Sequence, residues 1–371
     1  MNAIAFIWDN YGPMHDDRIR AVEKIYVGKV RIIGVELFGK SDTYAWDNDH
    51  NTEFEKITLF QGYEVRHSPL KVAAAIVRCC LALKAKDIFL CNYNEKYILL
   101  AAIVLRLMGK QVYTMADSKY DDYARFLWRE VGKSLFCIPY VGGLSNEARS
   151  SDYMRFLGVN PRRIAAPYNT LSLERMRSLS GTVPAPDGAA FAERHFTIVA
   201  RFVPKKNLAM ALDAYAIYCR DALQPRRLHL CGSGELEPPL RRKAQELGIS
   251  DKVVFHGFLQ RDGIARTLGT SIALILPSIE EQFGNVVIEA QALGLPVLLS
   301  ENCGARDRHV RSGVNGFVFE PDNPQGLAFF MGLIDRDETL WHRMCVSALA
   351  HAENGDVARF AEAVRTLVPA E

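Results

Sequence analysis

The chain has 371 residues, 49% of them hydrophobic, and a formal net charge of +2 from 45 Lys and Arg against 43 Asp and Glu. That length suits two domains rather than one core. The ordinary charged fraction excludes a disordered chain, and the balance lacks the basic excess of a nucleic-acid binder.

The opening MNAIAFIWDN has no basic n-region or small-residue cleavage site and reads as a buried strand, Ala3–Trp8. Val30–Phe38, Ile88–Cys91, Val112–Met115 and Leu135–Tyr140 are the next expected strands. A second set follows: Phe196–Phe202, Leu228–Cys231, Val253–Phe258, Ile272–Leu276, Val297–Ser300 and Phe317–Phe319. Many are continuously apolar, as parallel strands covered on both faces are, and helical patterns separate them. The implied fold class is α/β, with two doubly wound sheets.

A Gly-, Pro- and Ala-rich stretch over 178–194 separates the strand sets, so the expected domains are 1–180 and 181–371. The first holds 25 Lys and Arg against 20 acids, the second 20 against 23. Two such domains facing one another would hold ligand beyond the carboxyl ends of their strands. The eight Cys show no C-x-x-C spacing, which fits small apolar residues in a reducing cytosol. The longest apolar run, Ile98–Leu105, is far short of the roughly 20 residues of a membrane span.

Chemistry-bearing residues concentrate in the second half. In IVARFVPKKNLAMALDAY a strand ends near Arg201, Pro204 turns the chain, and a helix follows Lys206. Two cations at a strand end and a helix start suit a diphosphate, although solvated surface charges would look the same. LHLCGSGEL runs a strand into Gly232, where a backbone can approach a ligand or simply turn tightly. In LILPSIEEQFGNVVIEAQALG, Glu281 lies in a loop and Glu289 on the helix that follows. The N–H groups of Phe283, Gly284 and Asn285 fall at the helix entry, where donors are unpaired. Such carboxylates can accept from vicinal sugar hydroxyls, or can serve a capped helix and an ion pair.

These pieces in this order resemble a GT-B glycosyltransferase of family 4, the retaining, nucleotide-sugar-dependent family whose E-x7-E element would be Glu281 and Glu289. The resemblance covers nearly the whole second half. It implies that Arg201 and Lys206 bind the donor diphosphate and that Glu289 holds the ribose. It further implies that Glu281 and the Phe283–Asn285 backbone hold the transferred sugar. In the first half, DNYGPMHDDRIRAV is similar to a family loop reading Y-G-P-x-H-x-x-R. Gly12 would then approach phosphate, with His15 and Arg18 facing the ligand. A helix-capping role for His15 is the other reading. At Asp117-Ser118 many members carry a histidine; this chain has Asp-Ser-x-x-x-Asp instead, which makes Asp117 the acceptor-side base or oxocarbenium stabiliser to test. YNTLSLER lacks the acid of the related Y-N-x-x-D, with Ser172 and Glu174 nearby.

The expectation is thus a retaining transferase that moves a sugar from a nucleotide sugar, UDP favoured over GDP, to a glycan or lipid-linked saccharide in cell-surface polysaccharide synthesis. No cofactor or metal is expected, because two cations and helix-end amides can neutralise the leaving diphosphate. The triplet Asp47–Asp49 is read as a polar loop and not as a metal site. Front-face substitution and double displacement both remain open. A nucleotide-sugar 2-epimerase and a non-catalytic nucleotide-sugar-binding protein are the alternatives. Two segments, Tyr120–Phe136 with Arg125, Arg129 and Lys133 on one face, and Leu70–Lys86, read as basic amphipathic helices. They pack on the sheet or dock on an anionic membrane surface, which gives a cytoplasmic protein peripheral to the inner face. The last residues, from about 356, are expected to form a helix returning to the first domain.

Overall fold

The computed structural model describes residues 2–39, 54–62 and 67–369. The Asp47–Asp49 triplet lies outside the described residues. The chain divides into two compact units, 1–172 with 356–371, and 173–355.

Unit 1 runs β1 (Ala3–Trp8), α1 (Pro13–Tyr26), β2 (Arg31–Phe38), β3 (Lys56–Phe60), α2 (Pro69–Ala82), β4 (Ala85–Cys91), α3 (Lys96–Leu107) and β5 (Gln111–Met115). It continues with α4 (Leu127–Cys137), β6 (Gly142–Leu144), α5 (Ala148–Phe156) and β7 (Ile164–Ala165). The seven-stranded sheet has the order β3-β2-β1-β4-β5-β6-β7 and its named pairs are parallel. Every residue of β1 is buried, as a central parallel strand requires. One core cluster lies under α2 and α3, another under α1.

Unit 2 runs α6 (Leu173–Ser180), β8 (His195–Val199), α7 (Leu208–Asp221), β9 (Leu228–Cys231), α8 (Glu237–Glu246), β10 (Val253–Gly257), α9 (Arg261–Gly269) and β11 (Ser271–Leu276). Then come α10 (Val286–Ala292), β12 (Val297–Ser300), α11 (Arg306–His309), β13 (Gly316–Phe319), α12 (Pro324–Arg336) and α13 (Glu338–Ala352). Its six strands order β10-β9-β8-β11-β12-β13, again in parallel pairs. In this order β8 is flanked by β9 and β11, so the strand order reverses there. A reversal of this kind leaves a crevice at the strand carboxyl ends.

The final helix, α14 (Val357–Leu367), belongs to unit 1. Asp356 caps it by accepting from Ala358 N at 2.9 Å, and Phe360, Val364 and Leu367 join the core under α1.

Three expectations need correction. Leu135–Tyr140 is not a strand: α4 continues to Cys137, and the strand is Gly142–Leu144. The apolar run is two-sided instead, with Leu135 and Ile138 exposed and Cys137 buried. The basic helix does not begin at Tyr120, because Phe126 is extended and α4 starts at Leu127. Arg125 therefore lies before the helix, bonded to Tyr153 and Glu130. The division between units falls at Ser172, ahead of residue 180. Helix α6 goes with unit 2 because it packs on α9 and α10, with Arg177 Nε donating to Ala292 O at 3.0 Å.

Candidate active site

In unit 2 the exits of β8, β9 and β11 converge. After β8 the chain turns through Pro204–Lys206 into α7. The loop after β11 is fastened to that turn by its backbone: Ile279 N donates to Lys205 O at 2.9 Å. Loop Gly232–Gly234 is fastened from the other side, with Phe202 N donating to Ser233 O at 2.8 Å. Gly232 has φ +147, and a Cβ there would sit 1.8 Å from Ala200 O. Only glycine fits, and the first reason is this close backbone packing beside Arg201.

On that frame Lys206 Nζ bonds the Glu281 carboxylate, which also accepts from the buried Ser278 hydroxyl at 3.2 Å. The two residues expected to touch donor diphosphate and sugar are thus partners, 75 positions apart. Arg201 is exposed. Phe283 is buried against the edge of His309, with ring centroids 5.6 Å apart. Gly284 takes φ +100, and a Cβ there would lie 2.9 Å from Leu276 Cδ2 and 3.4 Å from Glu281 Cγ. Gly284→Ala is accordingly expected to destabilise unit 2 by about 1–3 kcal/mol, read from urea unfolding.

The N–H groups of Phe283, Gly284 and Asn285 donate to no chain acceptor among the described residues. The buried Oδ1 of Asn285 likewise finds no partner in the chain. Three amides and an amide oxygen beside a Lys–Glu pair offer donors for an anion and acceptors for hydroxyls. On the next turn Glu289 is half-buried. Burial pushes its carboxyl up to about 7, against the opposing pull of Arg175 on α6 and Arg261 on α9. A carboxyl held near neutrality in this way marks a site more than a surface.

In unit 1 the residues at the carboxyl ends of β1 and β5 form a second polar group. His15 stands on α1, with its ring 4.7 Å from that of Trp8. Gly12 is the N-cap of α1, and its N–H donates to His15 Nδ1 at 2.8 Å. That bond takes the Gly12 donor and puts the proton of a neutral imidazole on Nε2. Burial, and then Arg18, hold the His15 pKa well below the usual range, so the ring is neutral at pH 7. Arg18 does not face outward. It is buried, with Nε donating to Thr170 O at 3.2 Å and Nη2 to Asn169 Oδ1 at 3.1 Å.

Asp117 follows β5 and accepts from Asn169 Nδ2 at 3.4 Å. Its pKa is raised, chiefly by burial, with the Asn169 bond and Arg18 opposing. The second acid of the Asp-Ser-x-x-x-Asp pattern, Asp122, is structural: Lys119 Nζ donates to it at 2.7 Å and both are buried. Ser172, beside the missing family acid, donates its N–H to Asp17 at 3.1 Å.

Sequence reasoning missed Ser278, Arg175 and Arg261. Each lies on a different element from the acid it meets, or acts through a short loop contact that no spacing encodes. No group of three or more His, Cys, Asp or Glu suited to a metal occurs among the described residues.

Residues 189–342 match the family of glycosyl transferases group 1. The chain is 30% identical over 235 residues to D-inositol 3-phosphate glycosyltransferase of Streptomyces griseus, covering 57% of this chain and 50% of that one. It thus spans about half the length of the curated relatives it matches. Among solved structures, the lipopolysaccharide outer core galactosyltransferase WaaB aligns with a TM-score of 0.72 at 17% identity, over 98% of this chain and 99% of that one. Anabaena HepE in complex with UDP-glucose aligns at 0.71 and 18% identity, over 97% of each chain. These likenesses show the fold, which is GT-B.

Proposed function

We propose that this chain, with its GT-B fold and its group 1 glycosyl transferase match over residues 189–342, transfers a sugar from a nucleotide sugar with retention of configuration. The observation that carries the reading is the cluster at the β8 and β11 exits: the Lys206–Glu281 pair beside the amides of 283–285 and the partnerless Asn285 oxygen. The donor is a UDP sugar, the class found with HepE. Arg201, Lys206 and the three amides hold the diphosphate, and Glu281 accepts from hydroxyls of the transferred sugar. Glu289 takes the ribose hydroxyls. The acceptor is a glycan or a lipid-linked saccharide.

In the transfer, the bond from the anomeric carbon to the diphosphate oxygen breaks and the acceptor oxygen bonds that carbon on the same face. The acceptor proton passes to the departing phosphate or to Asp117. Charge accumulates on the diphosphate, where fixed cations and amides stabilise it without reorganising and without a divalent metal. Neutral His15 presents Nε2–H as a donor and takes no proton. Asp117→Asn is expected to lower kcat about 100-fold or more while UDP affinity stays unchanged, measured by UDP release and calorimetry.

Proton NMR of the product formed from an α-configured UDP sugar tests the reading. An α-glycoside appearing only with acceptor supports it. A β-glycoside, or an epimerised donor formed without acceptor, contradicts it.

A further inference from the structure

The helices on one face of the unit 1 sheet have an unusual surface. Inward residues of α2 (Val72, Ile76), α3 (Ala101, Leu105) and the end of α4 (Cys137) share one buried cluster, so all three helices cover the same side. Their outward residues stay apolar. Leu107 is 83% exposed, Trp128 69%, Leu135 64% and Ile138 74%. Along α4 the exposed Leu127, Val131, Leu135 and Ile138 recur at helical spacing, and an exposed apolar ridge of this kind is uncommon on a chain that meets only water.

Charge on α2, α3 and α4 is strongly biased to positive, while α5, which shares their buried cluster, pairs its Asp152 with Arg155. The segment from α2 to β4 carries Lys71, Arg78, Lys84 and Lys86 without an acid among its helix residues, and all four are exposed. Helix α3 carries Lys96 and Arg106 and no acid. Helix α4 has one acid, Glu130, which is buried and bonded to Lys133 at 2.8 Å. Among the described residues, Lys133 is the one cation of these helices within salt-bridge distance of an acid. The opposite face is mixed: α1 and α14, which pack together, carry Asp16, Asp17, Glu23 and Glu362 among Arg18, Arg20, Lys24, Arg359 and Arg365.

We propose that the α2–α3–α4 face docks on an anionic lipid surface, with the outward ridge of α4 entering the headgroup region. The chemistry separates lipid from a protein partner. Cations without an acidic partner among the described residues are interleaved with apolar side chains, as anionic headgroups over acyl chains require. Trp128 joins an apolar ring to a polar N–H, the combination that settles at membrane interfaces. Arg129 lies over the rings of Phe126 and Trp128 at 5.3 and 5.0 Å, which keeps its charge beside the ridge. With 11 residues α4 is too short to cross a bilayer but can lie flat in its interface. No helix among the described residues is long and apolar enough to cross. The face shares no residue with the unit 2 donor site, so docking can be lost while donor binding is kept.

Co-sedimentation of the full chain with phosphatidylcholine vesicles, with and without phosphatidylglycerol, tests the docking. Binding is expected to be at least about tenfold tighter with phosphatidylglycerol and to weaken as salt rises. Trp128→Asp with Leu135→Asp should abolish it, with the UDP-sugar thermal shift kept as the control for folding. Lys84→Glu with Lys86→Glu, away from α4, should remove the lipid preference even if the first variant folds poorly. Equal binding to both vesicle types, or none, overturns the proposal. So does a wild-type dimer that the α4 variant converts to monomer with vesicle binding unchanged, since a second copy would then cover the face.

Discussion

Glu281→Ala is expected to lower kcat/KM for the nucleotide sugar by about 100- to 1,000-fold, roughly 3–4 kcal/mol of transition-state stabilisation. Affinity for UDP alone should hold or tighten. The reason is the pairing: the Glu281 carboxylate holds the Lys206 ammonium. Removing it frees that cation for a diphosphate while deleting the acceptor for sugar hydroxyls. Both side chains are about 15% exposed, so the pair is partly screened, and its loss should cost only about 1 kcal/mol of stability. A structural pair would behave in the opposite way. Stability would then fall by several kcal/mol with donor affinity unchanged. Calorimetry with UDP and with the UDP sugar separates the two patterns.

Glu289 gives the second large effect. Burial raises its carboxyl to about 7. The folded state therefore keeps a proton that the unfolded chain loses near the ordinary carboxylate value, and stability falls as pH rises across that window up to about 7. Ribose hydroxyls donate best to the ionised form. Donor binding should then release a proton below pH 7, and affinity should rise by up to about tenfold per pH unit from about pH 6 until it levels off above about pH 7. Glu289→Gln should flatten this profile and, at about pH 8, weaken donor binding by about 10- to 100-fold through loss of charge-assisted hydrogen bonds. Calorimetry in two buffers of different ionisation enthalpy reads the proton directly. A pH-independent affinity in the wild type would place Glu289 away from the donor.

The strands of unit 2 were legible because parallel strands covered on both faces appear as short apolar runs bounded by Gly and Pro. Leu228–Cys231 and Val297–Ser300 match their expected limits. β6 was not, since two of its three residues are glycines and carry no hydrophobic signal. The run Leu135–Tyr140 misled for the converse reason: a helix that leaves its outer face apolar looks like a doubly covered strand. β3, whose residues are all half-buried, shows little of the continuous apolar signal of a central strand.

At the candidate site, Glu281, Gly284, Asn285 and Glu289 could be read together from the sequence, because a loop and the helix after it are contiguous. It could not show that Lys206 meets Glu281, or that burial raises the Glu289 carboxyl against the pull of Arg175 and Arg261. Those contacts are made by the sheet, which brings distant strand exits together. Arg18 shows the same limit. Sequence placed it on the right helix, but its inward direction follows from Asn169 and Thr170, more than 150 positions away.

The proposed function requires the strand exits of unit 2 to hold a nucleoside diphosphate sugar without a metal. A thermal-shift panel of UDP, GDP, ADP and dTDP sugars in the presence of EDTA tests it most directly, because a ligand of the folded state raises the melting temperature by mass action. UDP sugars are expected to stabilise the protein, and Arg201→Ala or Lys206→Ala to remove the shift. A folded protein that no member of the panel stabilises, or that responds only after a divalent metal is restored, would contradict the proposed function.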